Sequence, residues 1–167
     1  DPINKYALSK LDGESNVKKY FRNYIILRTN IYGYHSSSNK PSLAQWAISK
    51  LKNHEPINGF DDVIFNPVYT MQLAMIVEQL LKIEFRGLIN VACDEIVTKY
   101  DFLIAIAKKF NFNEELITKS NCNKQSFIAA RPLNTSLNNS LVNKIIGKNL
   151  SLNEGMQMLF NDFINKN

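Results

Sequence analysis

Asp1–Glu14 reads DPINKYALSKLDGE, and the fold turns on whether Tyr6 and Lys10 form a working pair or merely occupy a surface helix. Aspartate followed by proline is a good helix start, with Asp1 as N-cap and Pro2 at the first helical position. A helix is therefore predicted from there to about Arg22. Residues four apart share a helix face, so Tyr6 and Lys10 point the same way. A nearby ammonium stabilises phenolate and lowers the pKa of a tyrosine. Such a tyrosine can give a proton to a carbonyl, or take one from a hydroxyl, near neutral pH, while the lysine can hold a ribose hydroxyl. The spacing alone is weak: with seven Tyr and 16 Lys, chance supplies about 0.7 of a Tyr-x-x-x-Lys match.

Outward from that helix, strand and helix patterns alternate. Tyr24–Thr29 (YIILRT) is a compact β-rich run, read as a buried strand, and Asn30–Ser42 is a loop rich in Gly, Ser and Asn. A helix is predicted across LAQWAISKLKN, ending before His54, and a short strand across DDVIFNP. Val68–Phe85 has strong helical periodicity, with Leu73, Ile76, Val77, Leu80 and Leu81 as its core stripe. Gly87 breaks it, and Leu88–Cys93 (LINVAC) is the next strand. Thr98 caps a helix to Phe112, with Asp101 placed as in a capping box; two short helices follow, near Leu137–Ile146 and Leu152–Ile164. Such alternation predicts an α/β domain.

Composition removes several classes. At 167 residues, 45% apolar and 21% charged, the chain can build one domain with a real core. No apolar run approaches the ~18 residues that span a bilayer, and no secretory signal is visible, so a cytoplasmic protein off the membrane is expected. Cys93 and Cys122 stand singly and His35 and His54 lack partners in sequence, so no metal site is expected and the thiols should be reduced. The net charge of +5 comes from scattered lysines and only four arginines, which disfavours nucleic acid and favours small anions. With six glycines there is no GxGxxG and no GxxxxGK[ST], hence no phosphate-cradling loop.

The surroundings of the pair carry more than its spacing. Pro2, Tyr6, Ser9, Lys10 and Glu14, followed by Leu27-Arg28-Thr29 and Tyr32-Gly33, resemble the extended short-chain dehydrogenase/reductase family. The likeness is greatest to its sugar-nucleotide-modifying members of the dTDP-4-dehydrorhamnose reductase kind. NPVYTMQLAMIVEQLL resembles the family's P-x-Y-x-x-D-L-A helix with Gln72 at the acidic position, and ARPLNTSL (Ala130–Leu137) its R-P-x-x-S-x-L segment. The resemblance implies an α/β fold: the C-terminal part of a Rossmann-type protein, with the smaller substrate-binding domain. Residues 1–33 would end the dinucleotide-binding domain and residues 34–167 would form mainly the substrate-binding domain. The cofactor-binding half that precedes them in the family would be absent, leaving this portion alone inactive.

The same resemblance implies a function: reduction of a nucleotide-diphospho-4-keto-sugar by NADPH or NADH, in surface polysaccharide synthesis. NADP or NAD would be bound mostly by the absent half. Tyr6 would be the proton donor, Lys10 would tune it and hold the nicotinamide ribose, and Thr29 and Asn30 would sit near nicotinamide and sugar. Asn30, Asn39, Lys40 and Arg131 would face the sugar nucleotide, Arg131 by pairing with its diphosphate. Against each stands a plainer role: Thr29 and Asn30 as a strand end, Lys40 as a solvated lysine. Arg28 is expected in a structural ion pair, Trp46 in the core, and Asn134 replaces an acidic residue usual in epimerases, which leaves a ligand role for it open. Gly13 costs its helix about 1 kcal/mol relative to Ala; it would suit close approach in a homodimer built on that helix. Two alternatives stay open: an epimerase or dehydratase of the same family, and a non-catalytic binding or regulatory homologue.

Overall fold

Short strands feed helices in the order α1 (Lys5–Tyr20), β1 (Ile25–Thr29), β2 (Ile31–Tyr32), α2 (Leu43–Lys52), β3 (Ile57–Phe60), β4 (Ile64–Phe65), β5 (Val68–Tyr69) and α3 (Thr70–Lys82). Then come β6 (Gly87–Val91), β7 (Val97–Thr98), α4 (Lys99–Phe110), β8 (Ile117–Ser120), α5 (Ser140–Ile146) and α6 (Leu152–Ile164). These elements come from a computed structural model that describes residues 2–34, 41–124 and 129–165. Three strand pairs are parallel, β1 with β6, β2 with β5 and β3 with β8, while β4 and β7 run antiparallel. Parallel neighbours need crossover connections, and the intervening helices supply them.

The expected α/β architecture is present, with local departures. The first helix starts later than predicted: Asn4 is its N-cap, its side-chain oxygen accepting from the Ala7 N–H at 2.8 Å, and Pro2 lies outside the helix. The Val68–Phe85 run splits, because Val68 and Tyr69 pair with β2 before α3 begins. That helix ends at Lys82, with Glu84 at φ +52, so the break precedes Gly87. Ile76 and Leu80 are buried as expected, whereas Leu81 is 61% exposed and belongs to the outer face. β3 and β8 were not foreseen from the pattern. Thr98 caps α4 as predicted, accepting from Asp101 N at 2.9 Å, and the Asp101 carboxylate takes the Thr98 hydroxyl at 2.7 Å. The final helix matches its predicted bounds.

The core lies between α2, α3, α4 and α6 and the strands they cover. Phe102 sits at its centre, with Tyr32 and Phe65 edge-on at ring separations of 5.0 and 5.3 Å. Gln72 is buried and bonds in both directions. Its carbonyl accepts from Tyr69 N at 3.1 Å and its amide donates to Ser151 O at 2.9 Å, which a carboxylate could not do. Gly155 makes this junction close, because a Cβ there would fall 2.4 Å from the Gln72 side-chain oxygen. Glu95 completes it, accepting from Leu152 N at 2.9 Å and Ser151 Oγ at 3.1 Å at the start of α6.

Candidate active site

α1 differs from every other long helix in burying none of its residues. Two polar ties hold it. Asn4 Nδ2 donates to Ala130 O at 2.8 Å, and Arg28 on β1 grips both oxygens of Glu14 at 2.6 Å. The expected structural role of Arg28 is thus seen; its hydrogen bonds hold the Glu14 carboxyl below its usual range. Tyr6 is 71% exposed, and Lys10 places its ammonium 5.3 Å from the Tyr6 ring centroid, one turn along the same face. Gly13 has open space where a Cβ would stand, so no close approach within this chain requires it.

The tie to Ala130 has a consequence for Tyr6. It brings the start of α1 to the segment carrying Arg131, and both residues line one cleft of about 1360 Å³. Asn30 lines it too. Its side-chain amide donates to Thr135 O at 2.7 Å and its carbonyl accepts from Val68 N at 2.8 Å, so it also fastens the strand end. Leu133–Thr135 is zipped onto β4, with Ile64 N donating to Leu133 O at 2.7 Å and Thr135 N to Ile64 O at 3.0 Å. Below, Asp62 accepts from Cys122 N at 2.8 Å and Asn123 N at 3.1 Å, fixing the turn after β8.

Three of the candidates, Tyr6, Asn30 and Arg131, are therefore brought together from segments far apart in sequence. Lys10 stays outside the cleft, beside Tyr6. Thr29 is not part of its wall, but its hydroxyl is buried with no hydrogen-bond partner. Asn39 and Lys40 lie outside the described residues. Asn134 is turned to local use, its side-chain oxygen accepting from Ser136 N at 2.9 Å and Ser136 Oγ at 2.7 Å. Trp46 packs on the core as expected, but it is only half-buried and also lines the cleft.

Two features of this wall were not anticipated. Its charged side chains are Lys99 and Arg131, and among the described residues no carboxylate lines it. Lys99 opens α4, lies over the Phe65 ring at 3.3 Å from the centroid, and is half-buried; burial pulls its ammonium down to about 8. A Thr98 cap followed by an apolar α4 face carries no signal that sets Lys99 apart. The cysteines are both free and buried, and burial pushes the Cys93 thiol up to about 12. Among the described residues no group of His, Cys, Asp or Glu could hold a metal ion. No helix among them is long and apolar enough to cross a membrane.

The RmlD substrate binding domain family model matches residues 1–164. The chain belongs to that family. A probable low-salt glycan biosynthesis reductase of Haloferax volcanii, Agl14, is 30% identical over 148 residues, covering 87% of this chain and 49% of that protein. The dTDP-4-dehydrorhamnose reductase of Bacillus anthracis, solved in complex with NADP, superposes at a TM-score of 0.85 with 24% identity. That match covers 97% of this chain and 57% of the other. A hypothetical dTDP-4-dehydrorhamnose reductase of Sulfolobus tokodaii gives 0.76 at 27% identity, covering 93% and 54%. This RmlD-family chain thus spans about half the length of the relatives it matches, and its fold is that of the corresponding part of extended short-chain dehydrogenase/reductases.

Proposed function

We propose that this chain is the substrate-side part of a sugar-nucleotide reductase that acts on a nucleotide-diphospho-4-keto-sugar with NADPH or NADH. Residues 1–33 close the dinucleotide-binding part, and residues 34–167 form mainly the substrate-binding part. The observation that carries this reading is the cleft on which Tyr6, Asn30 and Arg131 converge, lined among the described residues by two cations and no carboxylate. The fit to a nicotinamide cofactor rests on this chain's own donors beside the cleft: the orphaned, buried Thr29 hydroxyl and the exposed Tyr6–Lys10 face of α1. When bound, the reduced nicotinamide supplies a hydride. Tyr6 gives the proton to the keto oxygen through its hydroxyl, and Lys10 favours the phenolate that remains and offers its ammonium to the ribose. Arg131 pairs with the diphosphate. In the dehydrorhamnose-type reaction the product is the 4-hydroxy sugar.

The test is reduction of dTDP-, GDP- and UDP-4-ketosugars by NADPH or NADH, followed at 340 nm on the protein as its own cells make it, with its intact mass measured first. Tyr6→Phe is expected to cut turnover at least about a hundredfold while leaving cofactor affinity in place. Activity within a few-fold of wild type would remove Tyr6 from the chemistry. Epimerised product without net oxidation of cofactor would make the enzyme an epimerase instead.

A further inference from the structure

We infer that Lys99 is a second ligand for the anionic group of the substrate, acting with Arg131 on the same phosphate or diphosphate. The inference rests on the sugar-nucleotide reading of this cleft and adds a residue to it. Lys99 belongs to no ion pair: the salt bridges of the described residues join Arg28 to Glu14, Lys50 to Glu55, Lys82 to Glu78, Lys108 to Glu114 and Lys148 to Glu154. Each of those lysines stands beside a carboxylate, and Lys82, Lys108 and Lys148 are exposed, whereas Lys99 is half-buried with no carboxylate partner and the ring of the buried Phe65 beneath it.

Its position is costly in two ways. Removing an ammonium from water without an anion is unfavourable, which is the cause of its depressed pKa. It also stands in the first turn of α4, where the helix dipole opposes a cation. The Phe65 face offsets part of this and holds the ammonium in place. The packing beneath it is tight: β3 approaches the start of α4 so closely that a Cβ on Gly59 would fall 2.7 Å from the Tyr100 Cα. A cation kept there, in a cleft with Arg131 and no acid among the described residues, is arranged for an anion that arrives from outside. The plainer role, a lysine stem that covers Phe65, makes no use of the charge.

The probes are inorganic pyrophosphate and dTDP, with thymidine as the uncharged control, titrated calorimetrically at pH 7. Wild type is expected to bind both anions and not thymidine. Lys99→Met should weaken pyrophosphate at least about tenfold and Lys99→Arg should restore it to within about threefold. On wild-type protein, pyrophosphate should also shield Lys99 from acetylation by acetic anhydride at pH 8, read by peptide mass spectrometry, so the inference stays testable if a variant fails to fold. Pyrophosphate affinity unchanged in Lys99→Met, no binding to wild type, or unshielded acetylation each overturns it. Lys99-dependent pyrophosphate binding, with no ketosugar reduction by the protein as its own cells make it, keeps the inference and sinks the reductase reading. Reduction whose KM is unmoved by Lys99→Met does the reverse.

Discussion

The helix that carries Tyr6 and Lys10 and the helix that carries Lys99 are built on opposite plans. α1 buries no residue and is held by Asn4 at one end and Glu14 along its length. α4 buries Phe102, Leu103, Ile106 and Ala107 and runs through the middle of the core. The Tyr6–Lys10 pair thus rides on a lightly attached element, and Lys99 rides on a deeply packed one. An apolar strip at the start of α1, Ile3, Leu8 and Leu11, stays exposed. Stability and chemistry should therefore respond to mutation in different halves of the molecule.

The largest effect should come from the rigid half. Phe102→Ala removes the ring on which Tyr32 and Phe65 pack, and a buried Phe→Ala change typically costs 3–5 kcal/mol, about. Chemical denaturation should show that loss, while Leu11→Ala on α1 should change stability by less than about 0.5 kcal/mol. Equal losses would abolish the contrast between the two helices.

Next is the junction of α3 with α6. Gln72→Leu keeps the volume but strands the buried Tyr69 N–H and the half-buried Ser151 C=O, for about 2–3 kcal/mol. Gln72→Glu should also destabilise at pH 7, since the ionised form cannot donate to Ser151 O. A melting temperature unchanged by either variant would mean that Gly155 and Glu95 alone hold α6.

How much of this was legible depended on the kind of signal. α3, α4 and α6 could be read because their apolar faces repeat at helical spacing and, for α4, because Thr98 caps it. β3 and β8 could not, since Ile57–Phe60 contains a glycine and Ile117–Ser120 is half polar, and only their mutual pairing makes them strands. Pro2 misled at the first helix: Asn4, whose side chain bonds both the Ala7 N–H and Ala130, caps it instead. On the cleft wall, Tyr6 and Arg131 stand out in local motifs. Lys99 and Trp46 do not, because what matters about them is the cleft they share with residues far away in sequence.

Lys99 sets the two halves apart by sign. Its folded-state pKa of about 8 lies below the 10.5 of an ordinary lysine, so the unfolded chain binds more protons between those values. The cost of the buried charge is fully present below about pH 8 and disappears as pH rises toward 10.5. Lys99→Met should thus stabilise at pH 7 by about 1–3 kcal/mol after allowance for partial solvent screening, and the gain should fade by about pH 10. A variant destabilised at pH 7 would show that the lysine stem matters to the core more than its charge costs.

The smallest effect belongs to the light attachment. Arg28→Ala breaks the bidentate pair with Glu14, whose side chain is 15% exposed against 45% for Arg28. Such a pair is worth about 0.5–1 kcal/mol, too little to move the global melt much. Hydrogen exchange should detect it, because α1 opens independently of a core to which it contributes no buried residue. Faster exchange confined to residues 5–20, with α4 unchanged, is the expected pattern. Protection lost equally in α4 would mean that α1 and the core open as one unit, and the cleft would then be no more rigid on the Lys99 side than on the Tyr6 side.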